Sequence, residues 1–155
     1  MTVRHSGVLV PLFSLVSSRS WGVGEFLDLP PFAKWVRDAG HSFVQLLPIL
    51  EIPDHETSPY SALTAMALDP IFVALPEVED FAAMGGVEEL TPDDRAQLAA
   101  VQAAPRVQHR AVRALKGRWL RRAHQRFLRE EAGPQSARQR PRSSHPDGLV
   151  AWSHE

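Results

Sequence analysis

A chain of 155 residues, 44% hydrophobic and 23% charged, has the size and composition of one ordinary folded domain. It contains no cysteine, which excludes a disulfide framework, thiol catalysis and cysteine-ligated metal centres, and no apolar run approaches the roughly 20 residues that span a bilayer. The net charge of −1 hides a split: residues 1–94 carry 14 acids and 4 bases, and residues 95–155 carry 4 acids and 13 bases, so either two regions differ in character or an acidic surface pairs with a basic one.

Arg4 and His5 precede the apolar run GVLVPLFSLV, the outline of a secretion signal. Pro11 interrupts that run and no small-residue cleavage site follows, so a cytoplasmic protein is expected. Residues 7–15 are nearly all apolar and predict a strand buried on both faces. SSRSWGVGEF is a loop marked by serines, Gly22 and Gly24. A helix is predicted over 30–39, with Pro30 and Pro31 in its first turn, Phe32, Trp35 and Val36 at helical spacing and Gly40 as its stop. SFVQLLPIL, residues 42–50, is a second strand. Strand, helix, tight turn and strand make a βαβ unit, which requires the strands to run parallel.

A polar loop, EIPDHET, leads to TSPYSALTAMALDP, where Ser58 followed by Pro59 suggests the start of a short helix. IFVAL at 71–75 is a third strand or extended segment. PEVEDFAAMGG predicts a short helix from Pro76 to Gly85, and TPDD at 91–94 opens another, with Thr91 as cap and Pro92 in its first position. Pro105 ends that helix. From 106 to 131, Val107, Ala111, Leu115, Trp119, Ala123 and Phe127 recur every fourth residue with arginines on the other faces, a long amphipathic helix. The last residues, 133–155, are rich in Gly, Pro, Ser, Gln and Arg and predict disorder.

Few side chains announce chemistry. Glu51, Asp54, His55 and Glu56 follow the second strand, at the end where α/β proteins gather their sites, and two carboxylates there would suit acid–base work. Such a run is more simply a solvated loop. Adjacent residues seldom point at one metal ion and no spaced second histidine completes a zinc pattern, so no metal and no cofactor is expected. Gly22-Val23-Gly24 lacks the third glycine of a phosphate-cradling loop and reads as a turn. The arginine-rich helix lacks interleaved aromatics, and the acidic half would oppose a polyanion, so nucleic-acid binding is not expected. No G-x-S-x-G or Walker loop occurs.

Residues 57–70 resemble the D-S-P-Y-Q-S-F-S-A-F-A-G-N-P motif of the amylomaltases, the 4-alpha-glucanotransferases, keeping Ser58, Pro59, Tyr60, Ala65, Ala67 and Pro70 in register. GVLVPLFSLVSSRSWGVGEF resembles that family's opening, matching Gly7, Pro11, Ser14, Leu15, Ser18, Gly22, Gly24 and Phe26. FAKWVRDAGHSFVQLLPI matches its next motif at Phe32, Ala39, Gly40, Gln45, Leu47 and Pro48. VQHRAVRALKGRWLRRAHQRF is similar to a later V-D-Y helix at Val107, Val112, Lys116, Leu120 and Ala123.

The resemblance implies an α/β fold: the start of a (β/α)₈ TIM barrel, incomplete in this chain because such a barrel needs about 250 residues. Residues 1–131 are expected to form that part of the catalytic domain, with a helical insertion, and residues 132–155 a disordered tail outside the family pattern. It also implies retaining transfer of α-1,4-glucan segments between maltooligosaccharides, through an aspartate nucleophile, a glutamate acid/base and a second aspartate. Glu51, Asp54, Glu56 and Asp69 do not match those carboxylate motifs, so no catalytic residue is assigned and the chain is expected to be an N-terminal fragment, truncated or frame-shifted, inactive alone. Ser58 and Tyr60 match positions lining the sugar cleft and are the expected substrate-binding residues. The partners implied are α-1,4-glucans, with no membrane. The alternative is a glucan-binding module without catalysis. The sequence departs from the family at Thr57 (aspartate), Ser61 (glutamine), Leu68-Asp69 (Gly-Asn) and His109 (tyrosine).

Overall fold

The computed structural model describes residues 4–131. Strand β1 (Gly7–Val10) pairs in parallel with β2 (Phe43–Leu46), in register Gly7 with Phe43 and Val10 with Leu46. Between them runs α1 (Leu29–Asp38), and these three elements form the predicted βαβ unit. The helix begins as Pro30 and Pro31 dictate, since a ring at the first turn sacrifices no hydrogen bond. It ends at Gly40, whose φ of 87° lets the chain reverse, with the Gly40 and His41 amides donating to Arg37 and Val36 carbonyls. The remaining helices are α2 (Glu79–Ala83), α3 (Pro92–Ala103) and α4 (His109–Glu131). The fold is α/β, with two strands and no closed barrel among the described residues.

Several expectations are corrected. The run 7–15 is not one buried strand: pairing stops at Val10, Pro11 turns the chain into a 3₁₀ turn over Leu12–Ser14, and Leu9 points outward. The second strand is four residues rather than nine. Residues 71–75 form no strand: Ile71 and Phe72 end one 3₁₀ turn, Pro70–Phe72, Leu75 opens another, Leu75–Glu77, and only Val73 and Ala74 between them are extended; each turn has a proline at its start. Residues 57–70 form no helix before Pro70. In α1, only Val36 of the three apolar residues is buried, and Trp35 is exposed. The expected disordered tail, 132–155, lies outside the described residues.

The core sits in the helical part, away from the sheet. Trp21, Leu75, Phe81, Leu90, Leu115, Trp119 and Ala123 form one buried cluster, held by edge-to-face contacts of Phe81 with Trp21 (5.9 Å) and with Trp119 (5.7 Å). Leu12, Val23, Ile71, Phe72, Val101 and Val112 form a second. Helix α4 serves both, Val112 in one and Leu115, Trp119 and Ala123 in the other, so burying this one face organises most of the chain. The predicted stripe is displaced: Ala111 and Phe127 are exposed, and Val112 and Lys116 take the inward positions.

The loop read as a simple turn is part of this core. Residues Trp21 to Glu25 are all buried. A Cβ on Gly24 would lie 2.0 Å from the Leu12 carbonyl oxygen, and Gly22, at φ 76°, packs on Val101. Both positions demand glycine because the backbone itself is the packing surface.

Candidate functional site

Beyond β2 the chain leaves the C-terminal ends of the strands and returns on itself. Leu50 and Leu68 form an antiparallel bridge. Around it the Glu51 amide donates to Ala67 O (3.0 Å), the Asp69 amide to Ile49 O (3.0 Å) and the Leu63 amide to Glu51 O (2.8 Å). Backbone groups that a helix would pair locally are therefore spent across the loop, which is why Ser58-Pro59 opens no helix. The result is a loop closed at its base, carrying TSPYS on its outer part.

Ser58 and Tyr60 come together in one tight turn. The Ser58 carbonyl accepts from the Ser61 amide (3.1 Å), and its hydroxyl accepts a long hydrogen bond from the Tyr60 amide (3.4 Å). Pro59 and Thr57 line a narrow space with Leu50, Ile52 and Phe72, so the inner side of the turn rests on the core. Tyr60 is 71% exposed. A ring so placed offers its faces and its hydroxyl to a ligand. Leu63, Met66 and Leu68, also exposed, continue an apolar surface along the same loop.

The base of the loop is held by charge. Asp69 is buried and takes both ends of the Arg113 guanidinium (2.9 and 2.7 Å), while one of its oxygens also accepts from the Ile71 amide (3.0 Å). Next along α4, the Lys116 ammonium reaches Glu25 (2.5 Å) and the carbonyls of Ile71 (2.7 Å) and Val73 (2.9 Å). Its three N–H bonds are thereby accounted for. Burial pushes the Glu25 carboxyl up against the pull of Lys116, and burial pushes the Lys116 ammonium down against the pull of Glu25, Asp28 and Asp69. Asp28 completes the arrangement by accepting from the Ser20 hydroxyl (2.8 Å) and the Glu25 amide (2.7 Å).

The acidic loop residues are not gathered into one centre with Ser58 and Tyr60. Glu51 and Asp54 line a cleft against α4, where Asp54 lies 3.4 Å from the Arg113 Nε, and His55 is exposed. No three His, Asp or Glu side chains converge as a metal site among the described residues. His109, at the tyrosine position of the V-D-Y pattern, packs edge-on to Phe13 (5.4 Å). Burial and the Arg113 charge hold its imidazole below the usual histidine range, with Asp69 opposing.

Sequence reasoning missed Glu25, Arg113 and the anchoring part of Asp69. Lys116 carried a legible signal, a lone lysine at the i, i+3, i+4 spacing of buried Val112, Leu115 and Trp119. The distant carbonyls and carboxylate that receive it carry no pattern of their own.

A family-wide sequence pattern for 4-alpha-glucanotransferases matches residues 10–145. Among individual proteins, a 4-alpha-glucanotransferase of Chlamydia pneumoniae is 32% identical over 124 residues, 80% of this chain and 23% of that protein. One of Chlamydia caviae is 42% identical over 69 residues, 44% of this chain and 13% of that protein, and one of Chlamydia trachomatis 36% identical over 118 residues, 74% and 21%. The chain thus spans less than a quarter of the length of these relatives. The match over most of its length leaves no doubt of its kinship: the chain belongs to the 4-alpha-glucanotransferase family.

Proposed function

We propose that this chain is the N-terminal part, residues 1–131, of a retaining 4-alpha-glucanotransferase barrel, and that residues 57–70 form one wall of its α-1,4-glucan cleft. The βαβ unit β1–α1–β2 would be the first turn of the (β/α)₈ barrel, and the Tyr60 loop leaves β2 at the C-terminal end, where barrel enzymes place their sites. The observation that carries the reading is an exposed Tyr60 on a loop pinned at its base by Leu50–Leu68 and Asp69–Arg113. Its ring would stack on sugar C–H faces while its hydroxyl bonds a sugar hydroxyl, with Ser58 shaping the turn. The absence of cysteine suits a reducing, cytoplasmic compartment.

The transfer chemistry requires a nucleophilic carboxylate about 5–5.5 Å from an acid/base carboxyl. Glu51, Asp54, Glu56 and Asp69 do not match the family's carboxylate motifs, and the pairing of Asp69 with Arg113 and of Glu25 with Lys116 supports structural parts for those two. The chain alone is therefore expected to bind maltooligosaccharides without redistributing them. Calorimetric titration with maltoheptaose should show binding that Tyr60→Ala weakens at least tenfold, while product analysis after incubation with maltotriose shows neither glucose nor longer chains. Absence of binding by the unaltered chain would overturn the cleft assignment, and robust disproportionation would overturn the assignment of inactivity.

A further inference from the structure

His109 opens α4 beneath the turn that carries Ser58 and Tyr60. Phe13, Thr57 and His109 line two spaces at once. On one side lies an open cleft of about 840 Å³, bounded further by Gln102 and Arg106. On the other is a crevice of about 10 Å³ under Pro59, closed by Leu50, Ile52, Asp69 and Phe72. The three shared side chains are therefore the partition between water and the underside of the turn. The crevice is at the lower limit of what admits a single water molecule, so it stays dry.

The surroundings of the imidazole favour its neutral form. Phe13, from the turn after β1, packs on it at 5.4 Å, and the loop brings Thr57 and Pro59, so neither neighbour supplies charge. Arg113 acts on it from the next turn of its own helix, and Arg106 lines the same open cleft. Asp69 pulls the other way, but both of its oxygens are held by Arg113. As the first residue of α4, His109 also sits where the helix dipole disfavours a cation. Burial and the Arg113 charge hold the group below 6.5.

We propose that His109 is a positioning residue for the Tyr60 turn: neutral, it closes the partition and supports Pro59; protonated, it turns into the open cleft and leaves the turn unsupported. An imidazolium needs water, and only the open side has room for it. Because the folded state binds this proton less tightly than the unfolded chain, the support is complete above pH 6.5 and is lost as pH falls through the folded value. The tyrosine of the V-D-Y pattern titrates at about pH 10 and changes no charge in this range, so the response belongs to the histidine. That the turn meets an α-1,4-glucan rests on the function proposed above; the hold on the turn rests on the packing.

NMR of the whole chain between pH 8 and pH 5, without sugar, reads the hold directly. The Ser58, Tyr60 and Ser61 amides are expected to move with the His109 ring protons, on one curve with a midpoint below 6.5. His109→Tyr should make these amides independent of pH, and His109→Gln should do the same if the tyrosine variant fails to fold. His55 stands on the same loop, so His55→Gln should leave the response in place. Turn amides that stay still while His109 titrates would overturn the proposal. So would a response that persists in the His109 variants or disappears in His55→Gln. Titration with maltoheptaose separates this hold from the sugar site. Apparent affinity should fall with the neutral fraction of His109, about twofold at the midpoint, and should not fall in His109→Tyr. Affinity independent of pH, with a turn that follows His109, would overturn the link to the sugar contact. No binding at any pH, with the same NMR response, would overturn the cleft assignment and leave the hold of His109 on the turn standing.

Discussion

Lys116 sits on the apolar face of α4 at 1% exposure, with its ammonium bound to Glu25 and to the carbonyls of Ile71 and Val73. Removing one member of a buried pair leaves the other uncompensated, which typically costs about 3–5 kcal/mol. Lys116→Met should therefore lower stability by about that amount in urea titrations at pH 7. The loss has a defined pH dependence. Burial already raises the Glu25 carboxyl, and without the lysine it rises further. A raised carboxyl favours the folded state below its unfolded value of 4.5 and loses that contribution as pH rises through the folded value. The deficit of Lys116→Met should shrink on acidification, and the double variant Lys116→Met/Glu25→Gln should recover part of it at pH 7. A deficit unchanged from pH 7 to pH 5 would mean that lost packing, not the stranded carboxylate, is responsible.

Among the elements, the start of α3 was legible because every interaction that defines it is local. The Thr91 hydroxyl accepts from the Asp94 amide at 3.1 Å, Pro92 occupies the first turn, and Asp93 and Asp94 lie at the positive end of the helix. Thr91→Ala should lower stability by about 1 kcal/mol, measured as a shifted urea midpoint with unchanged slope, whereas Thr91→Ser should leave it nearly unaltered. The segment 57–75 was not legible for the converse reason. Ser58-Pro59 carries a helix-start signal, but the Leu63 and Asp69 amides pair with residues 49 and 51, far from any helical partner. At 71–75 the apolar run looks like a strand, yet the Ile71 and Val73 carbonyls are taken by Lys116 from α4. Local propensity named candidates there, and long-range hydrogen bonds chose otherwise.

For the whole molecule, the charge split resolves into pairing of an acidic part with a basic helix. Glu25, Asp54, Asp69, Asp80 and Asp94 each meet a base of α4, respectively Lys116, Arg113 for the next two, Arg126 and Arg118. Three of its arginines are thereby drawn inward rather than left for a polyanion. Acid should loosen this seam. Burial pushes the Asp94 carboxyl up, but hydrogen bonds from Arg118, Thr91 and Trp119 and the Arg118 charge outweigh it and hold the group below its ordinary 3.8. The folded state therefore binds that proton less tightly than the unfolded chain does. Asp94 adds stability that is present above 3.8 and is lost as pH falls through the folded value. Asp94→Asn should accordingly be less stable than the unaltered chain at pH 6, with the gap narrowing below about pH 4. Urea midpoints at both ends of that range check it, and a constant gap would assign the effect to geometry rather than to charge.

Sequence alone determined the βαβ unit, the proline starts of α1 and α3, the glycine stop of α1, the long amphipathic helix and, through four motifs in order, the family, whereas α2 begins at Glu79 and not at Pro76. Those features depend on backbone sterics, capping and periodicity, which act over a few residues and leave a local signature. Only the tertiary structure decided that the Gly22–Gly24 loop is core, that Asp69 holds Arg113 at the base of the loop, and that Tyr60 stands exposed on a closed loop instead of a helix. The glycine loop depends on a close backbone approach, Asp69 on an arginine 44 residues away, and the Tyr60 loop on backbone bonds that skip 12 or more residues, and such partners are specified by the packed fold rather than by any short stretch of chain.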